Sequence, residues 1–179
     1  MTRSDLLIRP ATAADLPALH ILVESAYRGD SAKQGWTHEA DMLAGQRTDT
    51  DELAAIIADD TSVMLVIEGT AAITACVHVK RVSDAPAYLG MFAVSPTQQG
   101  SGIGKRLLSA AEDHAADTMR VRAIEMTVIR QREELIAFYE RRGYARTGEE
   151  RPFPLDDERF GLPNRRDLSF IVLEKQIVR

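Results

Sequence analysis

The sequence predicts one α/β domain built around a mixed sheet. Three observations predict it: two β-rich runs joined by a short turn, a strand that passes through a glycine loop into a helix, and an alternating strand followed by a helix that stops at a glycine. With 179 residues the chain is long enough to bury roughly 70% of its unfolded surface in a single core. No repeat, low-complexity tract or linker divides it, so residues 1–179 are expected to be one domain.

Taken in order, Leu6 to Arg9 reads as a short strand, and Thr12 followed by Asp15 starts a helix carrying Leu16, Leu19, Ile21, Leu22 and Tyr27. Ser62 to Ile67 and Ala71 to Val82 are β-rich, and Glu68-Gly69-Thr70 between them is a hairpin signal. Pro86 leads into a strand from Tyr88 to Val94. Ile103, Leu107, Ala111 and His114 then recur at helical spacing to about Asp117. Ile124, Met126 and Val128 alternate as a strand. A last helix, Glu133 to Arg142, puts Leu135, Phe138, Tyr139 and Arg142 on one face, has acids at its start and arginines at its end, and stops at Gly143.

Charge and cysteine usage exclude several classes. Lys plus Arg (22) against Asp plus Glu (27) gives a net charge of −5 with no basic tract, so no nucleic-acid partner is expected. The single Cys76 rules out an intramolecular disulfide. The start, MTRSDLLIRP, has a three-residue apolar run, too short for a signal peptide, and Glu68 and Gly69 interrupt the longest candidate for a membrane span. A cytoplasmic protein with no membrane partner is expected. Cys76 and His78 share a strand face, but two ligands do not make a site and His20, His38 and His114 lie far off in sequence, so no metal is expected. G-x-S-x-G is absent, which removes the commonest hydrolase motif.

The stretch Val94 to Leu108, VSPTQQGSGIGKRLL, holds the main chemical signal. Glycines at 100, 102 and 104 let backbone N–H groups converge on anionic oxygens, and the following helix aims its unpaired first-turn N–H groups and positive dipole end at the same point. Two nucleotide grammars fail. A dinucleotide fingerprint starting at Gly102 requires glycine at 107, where Leu107 stands. A Walker A loop ending at Gly104-Lys105 requires glycine at 99 and Ser or Thr at 106, where the chain has Gln99 and Arg106. What remains is Gln99-x-x-Gly102-x-Gly104 behind Val94-x-Pro96.

That pattern resembles the acyl-coenzyme A loop of the GNAT-type N-acetyltransferase superfamily. The segment VIRQREELIAFYERRGY, Val128 to Tyr144, is similar to the second signature of the same family, and the order of elements agrees over roughly residues 5 to 150. The resemblance implies a mostly antiparallel sheet, helices on both faces and splayed fourth and fifth strands that admit the pantetheine arm of acetyl-coenzyme A. It also implies that Phe92, Ala93 and Val94 offer backbone groups to the pantetheine amides, and that Gln99, Gly100, Ser101, Gly102, Ile103, Gly104 and Lys105 form the pyrophosphate loop. Lys105 and Arg106 either screen phosphate charge or are the solvated face of a helix. Arg132 stands where many members have Asn near the pantetheine, with the 3′-phosphate within its expected reach.

Acyl transfer to an amine needs a proton donor for the leaving thiolate. Tyr139 matches the tyrosine many members use, and a phenol donates in its neutral form. The alternative is a core aromatic at helical spacing. Many relatives carry a glutamate on the fourth strand, yet Tyr88, Leu89, Gly90, Met91 and Phe92 include no carboxylate; Glu24, Glu39 and His38 read as exposed charges or caps, and ordered water remains as a proton path.

The acceptor site is expected in YRGDSAKQGWTHEADMLAGQR, Tyr27 to Arg47, where Tyr27, Arg28, Trp36 and His38 line a pocket and Arg28 or Arg47 reads a carboxylate; otherwise Trp36 pins the loop to the core. The long segment Glu150 to Arg166 is expected to close over the acceptor end. The expected partner is a small-molecule or peptide amine, and the protein a monomer or homodimer. A degenerate acyl-coenzyme A-binding or sensor module of the same fold, and a structural domain, are the competing classes.

Overall fold

The computed structural model describes residues 6–177. The reading of the first residues as a non-signal segment therefore falls largely outside the described residues. Strands β1 (Leu7–Pro10), β2 (Ser62–Glu68), β3 (Ile73–Lys80), β4 (Ala87–Val94), β5 (Ala123–Ile129), β6 (Ala145–Pro152) and β7 (Ser169–Gln176) form one sheet. Its order is β1-β2-β3-β4-β5-β7-β6, and β4 with β5 is the parallel pair among antiparallel ones. Helices α1 (Leu16–Tyr27) and α2 (Thr50–Ala58) pack on one face, with Leu19, Val23, Leu53, Met64 and Cys76 in their core. Helices α3 (Ile103–Asp113) and α4 (Glu133–Glu140) pack on the other, around Leu65, Val77, Leu107, Ile124 and Ile136. The alternation of Met64 and Val66 with Leu65 and Ile67 thus divides one strand between two cores. This is the mixed, mostly antiparallel architecture that the sequence predicts. No helix among the described residues is long and apolar enough to cross a membrane.

Two features of β4 shape the site. It pairs with β5 at Ala87 with Ile124 and Tyr88 with Glu125, after which the two strands part as expected. The register with β3 also slips between Cys76–Ala93 and His78–Gly90, a bulge at which Met91 takes φ +45. The bulge switches faces: Leu89 points to the α3 side, whereas Met91 and Ala93 point to the α1 side.

Several boundaries differ from the expected ones. The hairpin's second strand starts at Ile73 because the Ala72 carbonyl closes the turn by accepting the Gly69 N–H at 2.9 Å. The helix expected to reach Asp117 ends at Asp113 and continues as a π-helical turn, His114–Thr118, that buries Ala115. Helix α4 ends at Glu140, and Arg141 and Arg142 form the turn into Gly143, whose φ of +91 suits glycine. The segment 150–166 is more ordered than a loop: it opens as the end of β6, and its Leu162–Pro163 pairs with Leu43–Ala44 in a two-stranded ladder. Leu43, Ile129, Phe153 and Leu168 fill a small core beneath it.

Candidate active site

The splay between β4 and β5 opens a cleft of about 330 Å³. Of the residues expected to hold the cofactor, Phe92, Ala93, Val94, Gln99, Gly100, Gly102, Gly104, Lys105 and Arg132 line it. Ser101 and Ile103 do not: the Ser101 hydroxyl donates to the Gln98 carbonyl at 2.6 Å, and Ile103 is buried in the α3 core. Gly100 and Gly102 adopt φ +83 and +90, and no heavy atom stands within 4 Å of where a Cβ would be. The loop is therefore an open cradle whose backbone conformation favours glycine. Gly102 caps α3, which leaves the first-turn N–H groups facing the cleft mouth. These features fit a pyrophosphate.

Two of the β4 carbonyls are already engaged. The Tyr27 hydroxyl donates to the Phe92 carbonyl at 2.8 Å and the Gln99 amide to the Val94 carbonyl at 3.3 Å, which leaves each oxygen a second lone pair. Trp36, 41% exposed, lies on this outer cleft with its ring 5.5 Å from that of Phe138. It does not line the inner chamber, because Gln99 and Arg132 tie its neighbour Thr37 to the cleft wall. Arg141 and Arg142 also border the cleft, and the Arg142 guanidinium stacks 3.5 Å from the Phe138 ring centroid. Arg106 instead donates to the Leu6 carbonyl at 2.9 Å.

Behind the cleft is a second chamber of about 190 Å³ between the bulge of β4, β5 and the 153–170 segment, with Phe153, Phe160 and Phe170 in its wall. Its polar centre is a buried ion pair network. Glu39 accepts from Arg28 at 2.5 Å and from Arg132 at 3.0 Å. Burial alone raises the Glu39 pKa, but the charges of Arg132, Arg28 and Arg47 outweigh it and hold the group below the usual carboxylate range. Arg132 is thus tied to Glu39 and Thr37 on the wall that cleft and chamber share. Arg28 is occupied by Glu39 and the Phe160 carbonyl. His38 lines neither cavity and accepts the Ala40 N–H at 3.2 Å. Glu24 is structural, accepting the N–H groups of Arg47 and Thr48 at 2.7 and 2.8 Å.

Cleft and chamber share Tyr27, Phe92, Arg132, Leu135 and Tyr139. Tyr139 is buried, with the rings of Phe138, Tyr144 and Phe92 at 5.4, 5.7 and 6.3 Å. Its hydroxyl has no hydrogen-bond partner among the described residues. Burial pushes its phenol well above 10, so it is neutral and carries a proton at physiological pH. Cys76 and His78 do share a face, but among the described residues no group of three or more His, Cys, Asp or Glu side chains could hold a metal.

A cleft and an inner chamber that meet at the phenols of Tyr27 and Tyr139, on a sheet splayed over a glycine loop, make a fold suited to bringing two substrates together. Residues 20–144 match the acetyltransferase (GNAT) family, and the chain belongs to that family. Its fold is similar to the ribosomal-protein-S18-alanine N-acetyltransferase of Escherichia coli, with a TM-score of 0.71 at 18% identity over 97% of this chain and 95% of that one. It is similar to the yncA protein of Salmonella typhimurium, solved with its cofactor acetyl-CoA, with a TM-score of 0.71 at 20% identity over 98% and 96% of the chains. A spermidine N-acetyltransferase SpeG chimera from Vibrio cholerae and hSSAT gives a TM-score of 0.70 at 18% identity over 97% and 96%. Comparison with curated proteins finds no match.

Proposed function

We propose that the chain, acting as one domain, transfers an acetyl group from acetyl-CoA to the primary amine of a small molecule or peptide by direct attack. The observation that carries this reading is the convergence of cleft and chamber on Tyr139. Acetyl-CoA, when bound, supplies an activated acetyl thioester. The N–H groups of the 100–105 loop hold its pyrophosphate, with Lys105, Arg141 and Arg142 as the nearby cations, and the unpaired edge of β4 aligns the pantetheine amides as an added strand. In the chamber three guanidiniums face one carboxylate, so an ammonium there is disfavoured relative to the free amine. That field keeps the amine free to attack but takes up no proton; the proton its nitrogen sheds on forming the amide leaves through ordered water, which also restores the Tyr139 proton after it has gone to the sulfur. Tyr139 then gives its proton to the departing sulfur, and Arg132 at the same junction steadies the charge that develops.

Calorimetric titration with coenzyme A, followed by thiol release from acetyl-CoA with a panel of amines, tests the reading. Binding with amine-dependent release is expected. Binding without release for every amine supports the non-catalytic binding module instead, and no binding overturns both.

A further inference from the structure

We propose that the acceptor is a small amine that also bears a carboxylate, and that Arg47 is the residue that reads it. This rests on the acyltransferase reading above, since it assigns the inner chamber to the acceptor. The chamber holds Arg28, Arg47 and Arg132 against the single carboxylate of Glu39. Glu39 is used by Arg28 and Arg132. Arg47 is left with no carboxylate within salt-bridge distance among the described residues. Its guanidinium stands 5.0 Å over the Tyr27 ring and borders both the chamber and an adjoining cavity of about 350 Å³.

The charges of Glu39 and Glu52 favour the Arg47 cation against its burial, but neither carboxylate is in salt-bridge contact with it among the described residues. Tyr27 and Tyr88 are phenols whose burial keeps them neutral, Tyr27 being pushed up to about 12. Glu52, in the adjoining cavity, accepts the Thr48 hydroxyl at 2.6 Å. The Arg47 guanidinium, with no direct carboxylate partner among the described residues and a planar fork, matches a ligand carboxylate in two parallel hydrogen bonds. The position is also held: Glu24 takes the backbone N–H groups of Arg47 and Thr48, and Asp49 caps α2 by accepting the Glu52 N–H at 2.7 Å. Arg28 and Arg132 each keep a buried Nε with no partner among the described residues, two further donors in the same wall. With Tyr139 on that wall too, a carboxylate at Arg47 leaves the amine of a small amino acid to reach the junction. The same charges repel a polyamine.

The test is calorimetric titration, with and without saturating coenzyme A, of the common α-amino acids, β-alanine and 4-aminobutyrate, each beside its methyl ester, with spermidine as the cationic probe. At least one acid is expected to bind ten-fold or more tightly than its ester and than spermidine. In Arg47→Gln that preference collapses to about three-fold or less while coenzyme A affinity stays as in the wild type; Arg47→Lys recovers part of it. Esters or spermidine binding as well as every acid, no acid binding at all, or a preference that survives in Arg47→Gln overturns the assignment. Failure of coenzyme A to bind overturns the acyltransferase reading, and the titrations without coenzyme A then decide the carboxylate assignment separately.

Discussion

Tyr139 faces both cavities with an unshared hydroxyl, so removing that oxygen is a narrow test of its role. Tyr139→Phe is expected to lower kcat by roughly 10²-fold, the low end for one acid–base group, with coenzyme A affinity and melting temperature nearly unchanged. A wild-type rate, in conditions where the absence of a product burst shows chemistry to be limiting, returns Tyr139 to packing. Because its phenol is held well above 10, activity should rise with pH as the amine deprotonates and show no fall from this group below pH 10; a pH–rate profile checks it. Glu39→Ala leaves Arg28 and Arg132 as uncompensated buried charges and is expected to cost about 3 kcal/mol, read by denaturant unfolding. Tyr139 was legible in the sequence because a known signature surrounds it. Glu39 was not: its partner Arg132 lies 93 residues away, and an acid in an aperiodic polar stretch has the appearance of a solvated cap.

At the scale of elements, the loop before α3 carries cofactor binding through its backbone. Gly102→Val forces a branched side chain into φ +90 at the helix cap. It is expected to weaken coenzyme A binding more than ten-fold while costing about 1–2 kcal/mol of stability; retention of affinity within a few-fold removes the pyrophosphate assignment. Trp36 lies on the outer cleft, so Trp36→Ala should raise the KM for acetyl-CoA more than that for the amine, and steady-state kinetics with both substrates varied would show the reverse if the residue serves the acceptor. The loop and the hairpin could be expected from motif and alternation, and the splay from the family resemblance alone. The last two strands escaped for opposite reasons. β6, ARTGEERP, is an exposed edge whose charged residues have no apolar face, and β7 is central, with Ile171, Val172 and Leu173 buried in succession.

For the molecule as a whole, acid lability should begin before the carboxylates protonate. Burial, aided by Lys80, lowers the His78 pKa from 6.5 to about 4. A group whose folded pKa is depressed contributes stability above its unfolded pKa, and that contribution fades as pH falls from 6.5 to about 4. The loss is at most about 3 kcal/mol. Unfolding in denaturant across that window should show it in the wild type and much less of it in His78→Gln. One cooperative transition is expected, since strands from both halves of the chain share the sheet.

Direct acetyl transfer is tested by following free thiol and N-acetylated amine together, by mass spectrometry, after mixing the protein with acetyl-CoA and a panel of primary amines. One thiol per acetylated amine is expected, produced when both substrates are present and with no acetyl group left on the protein. Coenzyme A binding without any acetylated amine, or an acetylated protein formed before amine is added, would contradict it.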